Sequence, residues 1–128
     1  MFNTDNKTKT EQQGTKLFDL SILEGMDDVD YIIETISIFL EEAPAEIREI
    51  ENGLKKNSYD SAAKKAHKLK NSAAVLQANH FFNLLDTIEK SAKSNLPAYE
   101  LLQLNGQVQK EYKNLEAALR LHLHTIKA

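Results

Sequence analysis

The chain has 128 residues, of which 41% are hydrophobic, with no cysteine and a formal net charge of −3. This length suits one domain with its own core. The lack of cysteine excludes disulfides and thiolate metal sites and is compatible with the cytoplasmic location that we expect. The acidic balance argues against general nucleic-acid binding. No apolar run is long enough to cross a membrane, and residues 1–16 read as a disordered polar tail without an apolar signal core.

Residues 17–128 are predicted to form a single helical domain. The first element, "FDLSILEG", is predicted as a short helix with Asp19 as N-cap and Gly25 at its C-terminal end. An apolar stripe at steps of three and four then passes through Pro44 without losing phase. It predicts one long helix over about 28–56 that is kinked at the proline. Its members are Ile33, Ile36, Leu40, Ala43, Ile47, Ile50 and Leu54.

Three further amphipathic helices follow, joined by short polar links. One begins after Ser58, its expected N-cap, and carries Tyr59, Ala62, Ala66, Leu69, Ala73 and Leu76 on one face. The next carries Phe81, Leu84, Leu85, Ile88 and Ala92. The last begins near Pro97 and carries Leu101, Leu104, Val108, Tyr112, Leu115 and Leu119. The predicted fold class is therefore all-α, an antiparallel four-helix bundle with a short additional N-terminal helix.

Charge is unevenly distributed, and one histidine stands in the basic part. Residues 27–51 contain nine acids and one base, whereas residues 59–78 contain four lysines and one acid. At about 100° per helical residue, His67 lies about 130° from the centre of its helix's apolar face, so it should be exposed. Lys70 lies one turn further along. A histidine among lysines is usually part of a solvated face, so spacing alone leaves both a functional and a structural interpretation open.

The stretch "AHKLKNSAAVLQA" (66–78) resembles the signature of histidine-containing phosphotransfer (HPt) domains. The matching positions are Ala66, His67, Leu69, Lys70, Ser72, Ala73, Leu76 and Ala78. The similarity extends over about Leu17 to Lys93, and to the last helix by architecture. Asn71 and Gln77 depart from the pattern, because the family usually has glycine at both positions. Asn71 adds bulk to the surface where a partner packs, whereas Gln77 is expected to do no more than straighten the helix end.

The resemblance implies that His67 accepts a phosphoryl group on Nε2 and exchanges it with an aspartate of a receiver domain. An imidazole is a competent nucleophile near pH 7. Lys70 is expected to supply a cation to the phosphoryl oxygens, with little effect on folding stability when it is replaced. Lys64 and Lys68 would act only through the electrostatic potential of the surrounding surface. The expected docking surface comprises Ala63, Lys64, Lys68, Asn71, Ala74 and Val75.

The partners implied are the receiver domain of a response regulator or a hybrid histidine kinase. The chain has no glycine-rich phosphate loop, so we expect a phosphocarrier rather than an enzyme, without an intrinsic cofactor. The receiver is expected to bring the divalent metal. We expect no metal site in the chain, because His80 reads as a loop or cap residue and His122 and His124 face different directions on a helix.

Two other functions are compatible with the sequence. A non-phosphorylated HPt-like module could dock or inhibit a receiver or kinase with the same face, and Asn71 keeps this alternative open. A bundle that self-associates through its last helix is the third, although we expect a monomer.

Overall fold

The computed structural model of the chain describes residues 17–94 and 96–127. These residues contain no strand and form α1 (Ser21–Glu24), α2 (Val29–Lys55), α3 (Tyr59–Val75), α4 (Asn79–Lys93) and α5 (Ala98–Lys127). The predicted all-α fold with a short N-terminal helix is thus confirmed. The predicted polar tail, residues 1–16, lies outside the described residues. Within the described part of the chain, no helix is both long and apolar enough to span a bilayer.

The four long helices form an antiparallel bundle, because links of only a few residues force each helix to turn back on its predecessor. α3 packs between α2 and α4, and α5 closes the bundle by packing against both α2 and α4. α1 lies against α2. The segment before α1 is tied to the far end of α3 by a hydrogen bond from the Asp19 N–H to the Leu76 carbonyl at 2.9 Å.

Most predicted core positions are buried, whereas Tyr59 and Leu84 are only half-buried, and the apolar stripe is shifted in two helices. In α2 the stripe begins at Ile32 rather than at Ile33, which is only half-buried. In α5 the buried position is Asn105 rather than Leu104. Both shifts follow from the 3.6-residue period, since either of two adjacent residues can satisfy a step of three or four.

Pro44 lies inside α2, as predicted, and does not end the helix. Proline has no N–H, so the carbonyl of Leu40, four residues earlier, loses its usual intrahelical partner. The Tyr112 hydroxyl of α5 donates a hydrogen bond to this carbonyl at 3.4 Å. A side chain from the neighbouring helix therefore satisfies the acceptor that the proline leaves free.

Gln77 ends α3 in the left-handed backbone conformation, with φ 50°. The N–H of Ala78 donates to the Ala73 carbonyl and that of Gln77 to the Ala74 carbonyl, both at 3.0 Å. This is the Schellman arrangement, in which the left-handed position favours glycine. The expectation that Gln77 straightens the helix end is therefore wrong, because the chain reverses here and Gln77 must adopt a glycine-like conformation.

The N-terminal caps agree only in part with the sequence-based predictions. The Asp19 carboxylate accepts the N–H of Ser21 at 2.9 Å, close to its predicted role. Asp28 caps α2 by accepting the N–H of Tyr31 at 3.0 Å. Ser58 stands at the N-cap position of α3, but its side chain makes no capping hydrogen bond.

Candidate functional site

His67 lies on the outer surface of α3, as the helical angle predicts. Its side chain is 55% exposed, whereas Ala66 and Leu69 beside it are buried in the core. Helical side chains lean toward the N-terminus of their helix, so the ring lies over the turn that contains Ala63 and Lys64. The imidazole is thus accessible to another molecule.

The other side of the ring is held by a carboxylate from α4. Nδ1 of His67 lies 3.1 and 3.3 Å from the two carboxylate oxygens of Glu89. An ionised carboxylate can only accept, so Nδ1 is the protonated nitrogen and donates to Glu89. Nε2 then carries the lone pair, and it has no hydrogen-bond partner among residues 17–94 and 96–127. This arrangement selects the tautomer whose free nitrogen faces outward.

Lys70 occupies the far side of Glu89 rather than the open surface. Its ammonium lies 2.7 Å from an oxygen of Asp86 and 2.8 Å from one of Glu89, and its side chain is only 15% exposed. It also lies 5.6 Å from the centre of the Phe82 ring. The hydrogen bonds that Lys70 donates, first to Asp86 and then to Glu89, raise its pKa. The expectation that replacing Lys70 leaves stability unchanged is therefore revised, since its removal leaves two carboxylates without this cation.

Glu89 stays ionised despite its burial. Its side chain is 9% exposed, and this burial raises the pKa of the carboxyl. Hydrogen bonds from Lys70 and Lys93 outweigh the burial, so that the net pKa lies below its ordinary value. Glu89 can therefore remain a charged acceptor for Nδ1 of His67 at neutral pH.

The surface around His67 is less positive than the sequence indicates. Lys68 pairs with Glu46 of α2 at 3.0 Å, and Lys65 pairs with Glu49 of α2, also at 3.0 Å. With Lys70 held by α4, three of the four lysines of α3 face carboxylates of neighbouring helices. The charge of these three lysines is therefore largely balanced by the acids of α2 and α4.

Five of the six predicted docking residues are exposed: Lys64, Lys68, Asn71, Ala74 and Val75. The exception is Ala63, which is 3% exposed because α4 packs against its side of α3. Its assignment to the exposed surface is corrected, and it instead forms the floor beneath the His67 ring. Val75 borders a groove of about 330 Å³ between α2 and α3, to which Ile38 and Tyr31 also contribute.

The remaining histidines are far from a comparable arrangement. His80 lies in the first turn of α4, 3.9 Å from a Glu111 oxygen. The ring of His122 packs edge-on against Phe18, with centroids 5.9 Å apart. In the described ranges, no three histidine or acidic side chains are grouped so that they could hold a metal ion.

Glu89 and Asp86 are the site residues that the sequence-based reasoning missed. They are three residues apart on α4, as His67 and Lys70 are on α3. Two antiparallel helices can place such pairs opposite each other. The available signal in the sequence was that these two acids have the same i,i+3 spacing as His67 and Lys70 and lie next to the core stripe of α4. Many surface acids share that spacing.

The four-helix bundle therefore carries an exposed histidine that a carboxylate orients from behind. A profile of the Hpt domain matches residues 34–118. The chain belongs to the Hpt domain family, which confirms the resemblance seen in its sequence. Hpt domains are phosphocarrier modules of two-component systems that interact with receiver domains and histidine kinases.

Among solved structures, the chain is similar to the HPT domain from the Hpt sensor hybrid histidine kinase from Shewanella. The two share 20% sequence identity with a TM-score of 0.72, over 86% of this chain and 94% of that one. At this identity the similarity supports the fold alone. No curated protein sequence matches the chain.

Proposed function

We propose that the chain is a phosphorelay intermediate that accepts a phosphoryl group on Nε2 of His67 and exchanges it with an aspartate of a receiver domain. The observation that carries this proposal is the geometry of the ring: Nδ1 is bound to Glu89 at 3.1 Å while the imidazole is 55% exposed. A core histidine would have a buried ring, and a solvated histidine needs no carboxylate to orient it. Here one nitrogen is oriented from behind and the other is left for a partner.

The transfer is a displacement at phosphorus. The Nε2 lone pair attacks the phosphorus of the receiver's acyl phosphate as the bond to the aspartate oxygen breaks, and its electron pair stays on that carboxylate. Nδ1 keeps its proton, so the ring becomes cationic beside the Glu89 carboxylate. Glu89 thereby stabilises the charged product, as an acidic partner does for any histidine that gains charge. The reverse transfer returns the bonding pair to Nε2.

The partner is expected to supply what the bundle lacks. The receiver brings the acceptor aspartate and the divalent metal that neutralises the phosphoryl oxygens, and the chain itself acts as a monomeric phosphocarrier. We place the receiver over Lys64, Asn71 and Ala74, with Lys68 and Val75 at the edge next to the α2–α3 groove. The partly exposed apolar side chains of that groove favour a partner with its own apolar contact.

The test uses receiver domains carrying a radiolabelled phosphoryl group. The wild-type chain should acquire acid-labile, base-stable label, and His67→Gln should acquire none. Because the ring lies outside the core, this substitution should change the free energy of unfolding by less than about 1 kcal/mol. His80→Gln, the matched control, should be labelled like the wild type.

Label that persists in His67→Gln would contradict the proposal. Receiver binding by an unlabelled wild-type chain would instead favour a non-phosphorylated docking module.

A further inference from the structure

The groove between α2 and α3 combines apolar side chains with carboxylates. Its volume is about 330 Å³. Ile38 and Val75 line it, and they are 45% and 46% exposed. Glu34 and Glu42 also line it, and both are exposed and without an ion pair among residues 17–94 and 96–127. Large apolar side chains that lie together in water, with polar groups around them, are typical of a surface that another segment covers.

The carboxylates of this groove belong to the most acidic part of the chain. Residues 27–51 contain nine acids and one base. Glu46 is balanced by Lys68 at 3.0 Å, whereas Glu34 and Glu42 have no such partner in the described ranges. A segment that carries both an apolar side chain and lysines therefore fits the groove, and an acidic segment does not.

The first 16 residues of the chain have this composition. Phe2 is their one aromatic residue, and their three lysines outnumber their two acids. Lys7 and Lys9 follow Phe2 within seven residues. The segment thus offers an aromatic side chain for the apolar lining of the groove and two cations for its free carboxylates.

The described chain begins next to one end of the groove. The Asp19 N–H donates to the Leu76 carbonyl at 2.9 Å, and Leu76 is one of the lining residues. From there the lining continues along α3 to Leu69, about 10 Å away at 1.5 Å per residue. An extended chain covers about 3.3 Å per residue, so Phe2 can reach every part of the groove. Tethering also gives the segment an effective concentration on the order of 1 mM, so that even a weak contact is populated.

We propose that residues 1–16 bind in the α2–α3 groove of their own chain, with Phe2 in contact with Ile38 and Val75. The lysines of the segment lie beside the free carboxylates of α2. The contact is autoinhibitory, because Val75 also lies at the edge of the surface over which we place the receiver. This consequence rests on the proposed function, whereas the contact itself does not.

Paramagnetic NMR tests the contact in the full chain. Because the chain has no cysteine, Asn3→Cys provides a single site for a nitroxide label beside Phe2. In ¹⁵N-enriched chain the label should strongly broaden the amide signals of Ile38 and Val75, relative to the same sample after reduction of the nitroxide. The signal of Thr87, an exposed residue of α4, should stay sharp.

Matched variants in the labelled chain separate a specific contact from mere proximity. Phe2→Ser should remove most of the broadening, and Phe2→Leu should retain it. Glu34→Gln should weaken the broadening because it removes a carboxylate of the groove. Glu41→Gln removes an exposed acid of α2 outside the groove and should have no effect.

Equal broadening with Phe2→Ser and with the natural segment would overturn the inference, because a segment that is merely nearby does not depend on its aromatic ring. Broadening of ¹⁵N-enriched, unlabelled chains by nitroxide-labelled chains would place the segment in the groove of a second copy, and would equally overturn it.

Transfer of label from a receiver measures the consequence separately. A contact whose dissociation constant is near the effective concentration leaves the groove about half free. Phe2→Ser should then acquire label about twofold faster than the wild type, and Phe2→Leu should acquire it at the wild-type rate. An unchanged rate in Phe2→Ser would overturn the autoinhibition. A wild-type chain that acquires no label would overturn the proposed function, whereas the broadening does not depend on transfer.

Discussion

Glu89 is the residue on which the geometry around His67 depends. A nearly buried carboxylate is costly unless hydrogen-bond donors and cations surround it, and here Nδ1 of His67, Lys70 and Lys93 all lie within 3.2 Å of its oxygens. The same contacts that keep Glu89 ionised also fix the direction of the imidazole. One side chain of α4 therefore both orients the ring and joins α4 to α3.

We predict that Glu89→Gln lowers stability at neutral pH and makes it less sensitive to acid. The pKa of Glu89 lies below its ordinary value of 4.5, so its contribution to the free energy of unfolding is complete above that pH. It is lost as the pH falls through the folded-state pKa. Urea denaturation at several pH values should show the variant approaching the wild type as the pH is lowered below 4.5.

The control for this prediction is Glu41→Gln, which removes an exposed acid of α2. Its difference from the wild type should be small at neutral pH. If Glu89→Gln differs from the wild type by the same amount at pH 7 and at low pH, the charge of Glu89 does not stabilise the fold.

At the scale of the helices, the end of α3 carries an unfavourable residue. A non-glycine residue in the left-handed region costs roughly 1–2 kcal/mol, and Gln77 adopts φ 50° there. The end of α2 solves the same problem with Asn57 at φ 59°, and asparagine tolerates this conformation better than glutamine.

We predict that Gln77→Gly raises the free energy of unfolding by about 1 kcal/mol. Glycine relieves the backbone strain of the folded state, but part of this gain is lost because glycine also gives the unfolded chain more conformational freedom. Urea denaturation is the measurement, and Asn57→Gly is the matched control that should gain less. A loss of stability in Gln77→Gly would mean that contacts of the glutamine side chain outweigh its backbone strain.

At the scale of the whole molecule, Tyr112 connects α5 to the proline of α2. Burial raises the pKa of Tyr112 to about 12, so its hydroxyl remains a donor to the Leu40 carbonyl under ordinary conditions. Its ring also lies 6.0 Å from Phe39 and 6.2 Å from Phe81, centre to centre. Phenylalanine at this position would keep the ring contacts and lose only the hydrogen bond.

We predict that Tyr112→Phe lowers the free energy of unfolding by about 1 kcal/mol, because it leaves a buried carbonyl without a donor. Pro44→Ala supplies the missing N–H to the same carbonyl, so Tyr112→Phe should cost clearly less in that background. A double-mutant cycle in urea measures the difference. Strict additivity of the two substitutions would show that Tyr112 and Pro44 are not coupled through Leu40.

Local periodicity in the sequence determined most of the fold. The four long apolar stripes predicted α2 to α5, because the burial pattern of a helix repeats every 3.6 residues regardless of what it packs against. The turn of about 100° per helical residue placed His67 outside the core, and the residues around it carried the family resemblance. Where the period allows two neighbouring positions, as at Leu104 and Asn105, the sequence could not decide which one is buried.

The tertiary structure alone decided the electrostatic surroundings of the histidine. The contact of His67 with Glu89 spans 22 residues and that of Lys70 with Asp86 spans 16. Such pairs depend on how α3 and α4 are rotated about their axes, and no local pattern specifies that rotation. The sequence therefore identified an exposed imidazole among lysines, whereas only the packed bundle shows which nitrogen is free and which lysines are already paired.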